Sequence, residues 1–384
     1  MILFVHNRYR QLGGEERFVE ALMTLVRQRI REPVELLERD SATLGRTRAA
    51  AALLRGGLEP DDVAAAVRRT GARVVHAHNL HPSFGWRSLA AARDAGAGVV
   101  LHLHNYRLVC AVGVCFTEGQ ECTRCHGRNT APGLIRRCRG SLPEAATYAA
   151  SLAAWQDRLV DGADEVLAPS AFAFERLREL GAPLPSRQTV VPYPVSASAN
   201  GEAPPGGSRP APYALLASRL APEKGAEQAI DACVDAGVRL IVAGSGPGEP
   251  QARQRAAGAD VEFRGWTEAT ELARLRTHAA LAVVPSRFAE TFGLAAAEAM
   301  AAGVPVVASR VGALGEIVPE DGLVDPGDRA GWARAVRGRF GDREARRRGR
   351  EAITALATPD AVAETLTAVY ARAERAATAR QSGP

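Results

Sequence analysis

An alternation that runs twice through this chain limits its fold more than any other feature. Short apolar stretches recur, segments of helical spacing lie between them, and Gly, Pro and Asn punctuate the joins. In the first half the apolar stretches are residues 2–5, 34–37, 73–76, 99–103, 165–168 and 189–191. Between the first two, Phe18, Leu22, Leu25 and Val26 fall on one face of a helix. Nearly continuous apolar strands with helices between them belong to parallel sheets covered on both faces.

From Ser196 to Pro212 the composition changes to Ser, Ala, Gly, Asn and Pro, with Pro204, Pro205, Gly206, Gly207 and Pro210 close together. Such a stretch reads as a linker. The alternation then restarts, with strands expected at 214–217, 239–243, 260–263, 281–284 and 304–308. Near the end Thr358 and Pro359 form an N-cap and first-turn pair. They open a helix whose apolar face is Val362, Leu366, Val369 and Tyr370. The expected organisation is a domain over 1–195, a linker over 196–212, a domain over 213–356, and a helix and tail over 357–384 that bridges the two. The length of 384 residues suits two domains of ~150 each.

The longest apolar runs, such as 281–285, fall far short of the ~20 residues a membrane-spanning helix needs. Met1 leads straight into the run 2–5, with no basic segment or cleavage site before it, so no export signal and a cytoplasmic setting are expected. A net charge of +5, spread along the chain, favours an anionic small ligand or acidic surface over dedicated nucleic-acid binding. Of the 48 basic residues all but one are arginine, and the exception is Lys224.

Five of the six cysteines fall between 110 and 138, in an insert spanning about 107–142. Cys122 and Cys125 make a C-x2-C pair, with Cys110 ahead of it and Cys138 behind. Four thiolates in two arms suit a structural, tetrahedral zinc ion, with Cys115 and His126 as substitute ligands. Disulfides fit a reducing setting poorly. A redox C-x-x-C normally opens a helix beside a thioredoxin-like strand. Cys233 reads as a small buried hydrophobe.

His-Asn recurs at His6-Asn7, His78-Asn79 and His104-Asn105, each expected just after a parallel strand, where open α/β sheets bind ligands. Strand-end histidines also simply bond backbone, so either reading stands for each; His104 is the strongest candidate. Gly13-Gly14 either lets backbone N–H groups approach a ligand or makes a strand–helix turn. Gly244-Ser245-Gly246 ends a strand of the second half, where a ligand can approach closely. Arg219 and Lys224 are spaced to clamp a diphosphate, and the scarcity of lysine argues against an incidental Lys224. Glu290 precedes a helix expected to start near Phe292-Gly293, and Glu298 lies on it. First-turn N–H groups of Phe292, Gly293 and Leu294 would attract a phosphate between two hydroxyl-accepting carboxylates.

Taken together, these residues resemble the retaining glycosyltransferases of the GT4 family. Glu290 and Glu298 match its E-x7-E motif. Arg219 and Lys224 match its G-R-x-x-x-E-K-G segment, with Ser218 in place of the usual Gly. Gly244 and Gly246 match its G-x-G turn, Gly13-Gly14 its N-terminal glycine-rich loop, and His104-Asn105 the histidine after its fourth strand. The cysteines resemble those of a GT4 subgroup with an insert, found in polysaccharide or secondary-metabolite pathways.

The resemblance implies a GT-B fold: two Rossmann-like, doubly wound α/β domains facing across a cleft. It implies transfer of a sugar from a nucleotide-sugar donor to a hydroxyl acceptor, whether glycan, lipid-linked or small molecule. Arg219 and Lys224 would neutralise the donor diphosphate and Glu290 would hold donor-sugar hydroxyls. Phe292, Gly293 and Leu294 amides would meet its phosphate, and Glu298 the ribose. Arg264 and Trp266 would line the base pocket. His104 would lie near the anomeric centre, with His78, Asn79 and Asn105 on the acceptor side and Gly13-Gly14 beneath diphosphate or acceptor. No catalytic metal is expected, and there is no D-x-D motif.

A GT-B sugar-nucleotide epimerase is the alternative enzyme, although this E-x7-E and R-x4-K combination is not expected of it. A zinc-containing nucleic-acid binder using Arg124, Arg128, Arg136, Arg137 and Arg139 lacks interleaved aromatic residues for base stacking. Those arginines would instead steer an anionic acceptor, touch a membrane surface, or be solvated.

Overall fold

A computed structural model describes residues 1–9, 13–195 and 211–382, so the linker expected at 196–212 lies almost wholly outside the described residues. The chain divides into two units. One comprises Met1–Cys115, Cys122–Pro194 and Pro359–Pro384; the other comprises Phe116–Glu121 and Val195–Thr358.

The first unit is built on six strands: β1 (Ile2–Arg8), β2 (Val34–Asp40), β3 (Val74–Ala77), β4 (Gly98–His102), β5 (Glu165–Ala168) and β6 (Thr189–Val190). They lie in the order β2-β1-β3-β4-β5-β6, and all neighbouring pairs are parallel. Helix α1 (Gly14–Leu25) follows β1 and buries Phe18, Val19 and Leu22, the face its spacing predicts. Strand β1 continues to Arg8, so His6-Asn7 lies within the strand and not after it as expected. The parallel ladder to Glu38 and Arg39 on β2 carries the extended conformation through that dipeptide.

The second unit repeats the scheme with β7 (Ala214–Ala217), β8 (Leu240–Ala243), β9 (Val261–Gly265), β10 (Leu281–Val284), β11 (Val306–Ser309) and β12 (Leu323–Val324). Their order is β9-β8-β7-β10-β11-β12, again parallel throughout. This is the Rossmann order, which reverses direction between β7 and β10. Helices α2 (Ala226–Ala236), α3 (Ala269–His278) and α4 (Leu294–Ala301) stand between these strands. Its core joins Leu216, Ile230, Val242, Val283 and the fully buried Trp332. The two-residue β12 has no counterpart among the expected strands, because a pair of apolar residues carries no periodicity to read.

Helix α5 (Pro359–Gln381) packs on the first unit, although it follows the second in sequence. Its expected face of Val362, Leu366, Val369 and Tyr370 is buried. Gly98 of β4 permits the approach, since a Cβ there would lie 2.4 Å from the Ala373 carbonyl oxygen. Arg372 makes a bidentate ion pair with the buried Glu165 at 2.7 and 2.8 Å. No helix of the described residues is long and apolar enough to cross a membrane.

Candidate functional site

In the second unit the chemistry gathers where the strand order reverses. The turn after β7 carries Arg219 and a short 3-10 segment, Pro222–Lys224. Gly225 ends that turn with φ of 70°, and a Cβ on it would lie 2.0 Å from the Pro285 carbonyl oxygen beyond β10. The two loops are joined again by the Arg287 N–H, which donates to the Glu223 carbonyl at 2.8 Å. Glycine at 225 therefore brings Lys224 beside the loop that holds Glu290.

Lys224 Nζ donates to Glu290 Oε1 at 2.7 Å, and Ser286 Oγ donates to the same oxygen at 2.7 Å. The lysine ammonium also lies 4.6 Å from the centroid of the Phe288 ring. The side chains of Lys224 and Glu290 are 24% and 12% exposed, so the pair is largely shielded yet reachable. Gly312 and Ala313 pin the Glu290 backbone, the Ala313 N–H donating to its carbonyl at 2.9 Å. Arg219, half exposed, pairs with the mostly buried Glu223. Two cations thus stand at one sheet edge, each held by its own carboxylate.

Glycine at 244 and 246 serves a different neighbour from the one expected. A Cβ at Gly244 would lie 1.9 Å from the Ser218 carbonyl oxygen, and one at Gly246 would lie 2.4 Å from that of Leu220. These glycines let the turn after β8 press against the Arg219 loop, bonded by Leu220 N–H to Ser245 O at 2.9 Å and Gly248 N–H to Leu220 O at 2.7 Å. Helix α4 starts at Leu294, two residues later than the expected Phe292, because Gly293 takes φ of 95° as its N-cap. Phe292 is buried. Glu298 is 30% exposed and accepts from Arg276 Nη2 on α3 at 2.5 Å. Arg264 pairs with Glu262 at 2.6 Å, and Trp266, 53% exposed, reaches Glu268 through its indole N–H at 3.3 Å. A hollow of about 490 Å³ shares Gly225 and Arg287 with this region but is lined by none of Arg219, Lys224, Glu290 or Glu298.

In the first unit a second group forms at the carboxyl ends of β3 and β4. His78, Asn79, His104 and Asn105 line a cavity of about 40 Å³ together with Glu15, His81, His102 and Arg107. The four expected residues are therefore brought together, and four charged or titratable ones join them. Asn105 Nδ2 donates to Tyr9 Oη at 3.1 Å, and Arg107 Nη1 donates to the same oxygen at 2.9 Å. Tyr9 Oη in turn donates to Glu15 Oε2 at 3.1 Å. Burial pushes the Glu15 carboxyl up to about 7, against the opposing pull of Arg107, and its Oε1 has no hydrogen-bond partner.

Next to it Glu16 accepts the N–H groups of Tyr9 and Gly13 at 3.0 and 2.8 Å, so that carboxylate already occupies donors of the glycine loop. His78 Nδ1 and His104 Nε2 are 2.9 Å apart, and His104 Nδ1 is 3.1 Å from Tyr193 Oη. Asn79 Nδ2 donates to the Asn7 carbonyl at 2.6 Å, a structural bond between β1 and β3 ends.

The cysteines of the insert form no disulfide. Backbone N–H groups of Val112, Gly113 and Cys115 and the Cys115 thiol converge on Cys110, lowering it to about 6, with the thiol contact the largest cause. Burial pushes Cys125 up to about 11, and Cys110, Cys138 and Cys122 add electrostatically to that rise. Among the described residues, the group of three metal-capable side chains within mutual reach is His76, His78 and His102, and no cysteine belongs to it. Two of the insert's arginines are ion-paired, Arg128 with Asp157 and Arg139 with Glu144, which leaves less free positive charge than their number suggests.

Two family models match the chain. One, described as a glycosyl transferase 4-like domain, takes residues 9–194; the other, glycosyl transferases group 1, takes residues 211–342. Among characterised proteins, a GDP-mannose-dependent alpha-(1-6)-phosphatidylinositol dimannoside mannosyltransferase of Mycobacterium tuberculosis is 42% identical over 109 residues, 27% of this chain and 28% of the relative. A glycogen synthase of the same species is 35% identical over 236 residues, 56% of each. The chain thus spans between about a quarter and about half of the length of the curated relatives it matches. Among solved structures, sucrose-phosphate synthase from Thermosynechococcus elongatus superposes with a TM-score of 0.71 at 20% identity, covering 98% of this chain and 99% of the other. Anabaena HepE in complex with UDP and glucose gives 0.64 at 17% identity, covering 96% and 99%. These likenesses identify the fold as GT-B, two parallel-sheet α/β domains with a long C-terminal helix, as expected.

Proposed function

Because the chain belongs to the glycosyltransferases, whose family models take its residues 9–194 and 211–342, we propose that it moves a sugar from a nucleotide-sugar donor to a hydroxyl acceptor with retention of configuration. The observation that carries this reading is the Lys224–Glu290 pair at the strand-order reversal, with Ser286 on the same carboxylate oxygen. Two loops are built around that pair, and open α/β sheets bind ligands at such a reversal.

In this reading Lys224 and Arg219 take the donor diphosphate, exchanging their carboxylate partners for phosphate oxygens. Both would stabilise the charge that grows on the leaving group, which is the dominant electrostatic contribution in such chemistry. Glu290 keeps Ser286 on Oε1, and Oε2 is assigned to a donor-sugar hydroxyl. The N–H groups at the start of α4, Phe292, Gly293 and Leu294, face phosphate, and Glu298, steadied by Arg276, takes the ribose. Trp266 and Arg264 flank the base, while Gly244 and Gly246 fix the Arg219 loop. The acceptor approaches on the same face of the sugar as the departing phosphate, which takes its proton as the new bond forms, a front-face transfer needing no metal.

His104, His78, Asn79 and Asn105 form the acceptor side in the first unit. Gly13 and Gly14 belong there too: two neighbouring carboxyl groups, Glu15 and Glu16, disfavour a diphosphate but accept hydroxyls. The cysteine insert is assigned a structural zinc on Cys110, Cys122, Cys125 and Cys138, a reading supported by the C-x2-C spacing and its two flanking cysteines. The reaction is placed in glycan, glycoconjugate or secondary-metabolite synthesis in the cytoplasm, with any lipid-linked acceptor met at the membrane's inner face.

The test is a thermal-shift screen of UDP-, GDP- and dTDP-sugars, followed by a nucleotide-release assay with and without acceptors. A true donor raises the melting temperature by mass action. Nucleotide release that depends on an acceptor supports transfer. Isomerisation of the donor sugar without an acceptor would establish the epimerase instead.

A further inference from the structure

The interior of the first unit contains a group of three histidines, of which His78 alone also stands on the proposed acceptor side. His76 and His78 run out along β3, and His102 ends β4. The parallel register sets His76 between Phe4 and Val100. Alternate residues share a sheet face, so His76 and His78 lie on one side. All three imidazoles are buried. One ring nitrogen from each lies within 4.8 Å of the other two. His76 Nε2 and His102 Nδ1 are 3.3 Å apart. Two nitrogens bound at about 2.0–2.1 Å to one tetrahedral ion also stand roughly 3.3 Å apart.

Two further observations point to a ligand. His78 Nε2 and His102 Nε2 are buried with no hydrogen-bond partner. A buried polar atom left unmet costs roughly 1–3 kcal/mol, so two of them on rings that line one cavity call for something to satisfy them. The cavity of about 40 Å³ is lined by both rings, which is room for one water. On the far side, His76 Nδ1 lies 2.8 Å from Tyr370 Oη of α5, a contact of the kind that orients a metal-binding imidazole.

We propose that His76, His78 and His102 bind one divalent first-row transition-metal ion, zinc foremost, with a water in the adjoining cavity completing four-fold coordination. Neutral imidazole donors without a carboxylate select zinc, copper or nickel over magnesium and calcium. The ion ties β3 to β4 and, through Tyr370, to the C-terminal helix, so its part is structural. It shares His78 with the proposed acceptor side but rests on neither the transferase reading nor the cysteine site, and either can fail without it.

The test uses the full chain, stripped with chelator, reloaded with zinc and desalted. Metal is counted by elemental analysis, and zinc-edge X-ray absorption distinguishes nitrogen from sulfur neighbours. The expected result is a nitrogen shell that persists in a Cys122→Ser, Cys125→Ser chain. The same zinc should be lost, by one ion per chain, in His102→Phe. Should His102→Phe fail to fold by circular dichroism, the absorption spectrum of the cysteine variant decides alone. A shell of sulfur only, no retained zinc, or undiminished zinc in folded His102→Phe overturns the proposal.

Discussion

At the scale of single residues, Lys224 is the position that most distinguishes this chain. Its ammonium reaches Glu290 at 2.7 Å and lies over the Phe288 ring, in a space framed by two loops. A compact charge on a flexible stem suits that space; a planar guanidinium with five donors does not. Lys224→Ala is expected to lower kcat by about 10²–10³-fold, the typical cost of losing one preorganised electrostatic partner. Lys224→Arg should also fall well below the unaltered enzyme, with the melting temperature of both within a few degrees of it. Wild-type turnover in the arginine variant would mean that charge alone matters there. Lys224 and Glu290 were legible in the sequence because composition and spacing single them out. Arg276, Ser286 and Glu15 were not. Arg276 meets Glu298 from a separate helix, and Ser286 looks like any loop serine. Glu15 reads as an ordinary first-turn acid until burial is known. His76 and His102 had a readable signal that went unused: each stands two residues before a histidine already singled out, and a strand puts such pairs on one face.

At the scale of elements, strands and helices followed from periodicity, whereas the turns that position chemistry followed from backbone contacts no pattern displays. Gly225 shows this best, with a left-handed φ of 70° and the Pro285 carbonyl where a Cβ would be. Gly225→Ala is expected to destabilise the second unit by about 1–3 kcal/mol from backbone strain alone, before the clash is relieved. Because relief would push the Lys224 turn from the Glu290 loop, turnover should fall as well. Chemical denaturation and steady-state kinetics on one preparation check both. Unchanged stability with unchanged kcat would show that the two loops are not joined as described. Gly244 carries a related lesson. Its spacing pointed to a ligand, but its close neighbour is the Ser218 carbonyl, so a glycine-rich turn can record the packing of two loops instead of a bound phosphate.

At the scale of the whole chain, the two units share an all-parallel six-stranded architecture, with different strand orders, but not a chemistry of their interiors. Among the described residues every buried histidine lies in the first unit, while the one histidine of the second, His278, is half-buried. Burial, aided by Arg8, lowers His6 to about 4, and burial lowers His81 to about 3. Below pH 6.5 the unfolded chain therefore binds protons that the folded unit refuses, and stability falls as pH drops toward 4. His6 alone accounts for a loss on the order of 3 kcal/mol over that interval. Glu15 acts in the opposite sense: raised to about 7, it is more stable in the fold when protonated, and its contribution is lost as pH rises from 4.5 through 7. The histidines outnumber it, so the first unit should lose hydrogen-exchange protection on acidification before the second. Simultaneous loss in both units, or earlier loss in the second, would contradict this account.

The return of the C-terminal helix to the first unit has a consequence for how the protein is made. Helix α5 covers β4, closes on Gly98 and holds Glu165 through Arg372, yet it leaves the ribosome only after the second unit. About 160 residues of the second unit are translated between the first unit's last strand and this helix. At about 5–20 residues per second the first unit must wait roughly 8–33 s with one side of its sheet bare. During that interval the nascent chain exposes β4 to water and to chaperones, so the first unit, begun before the second, is finished after it.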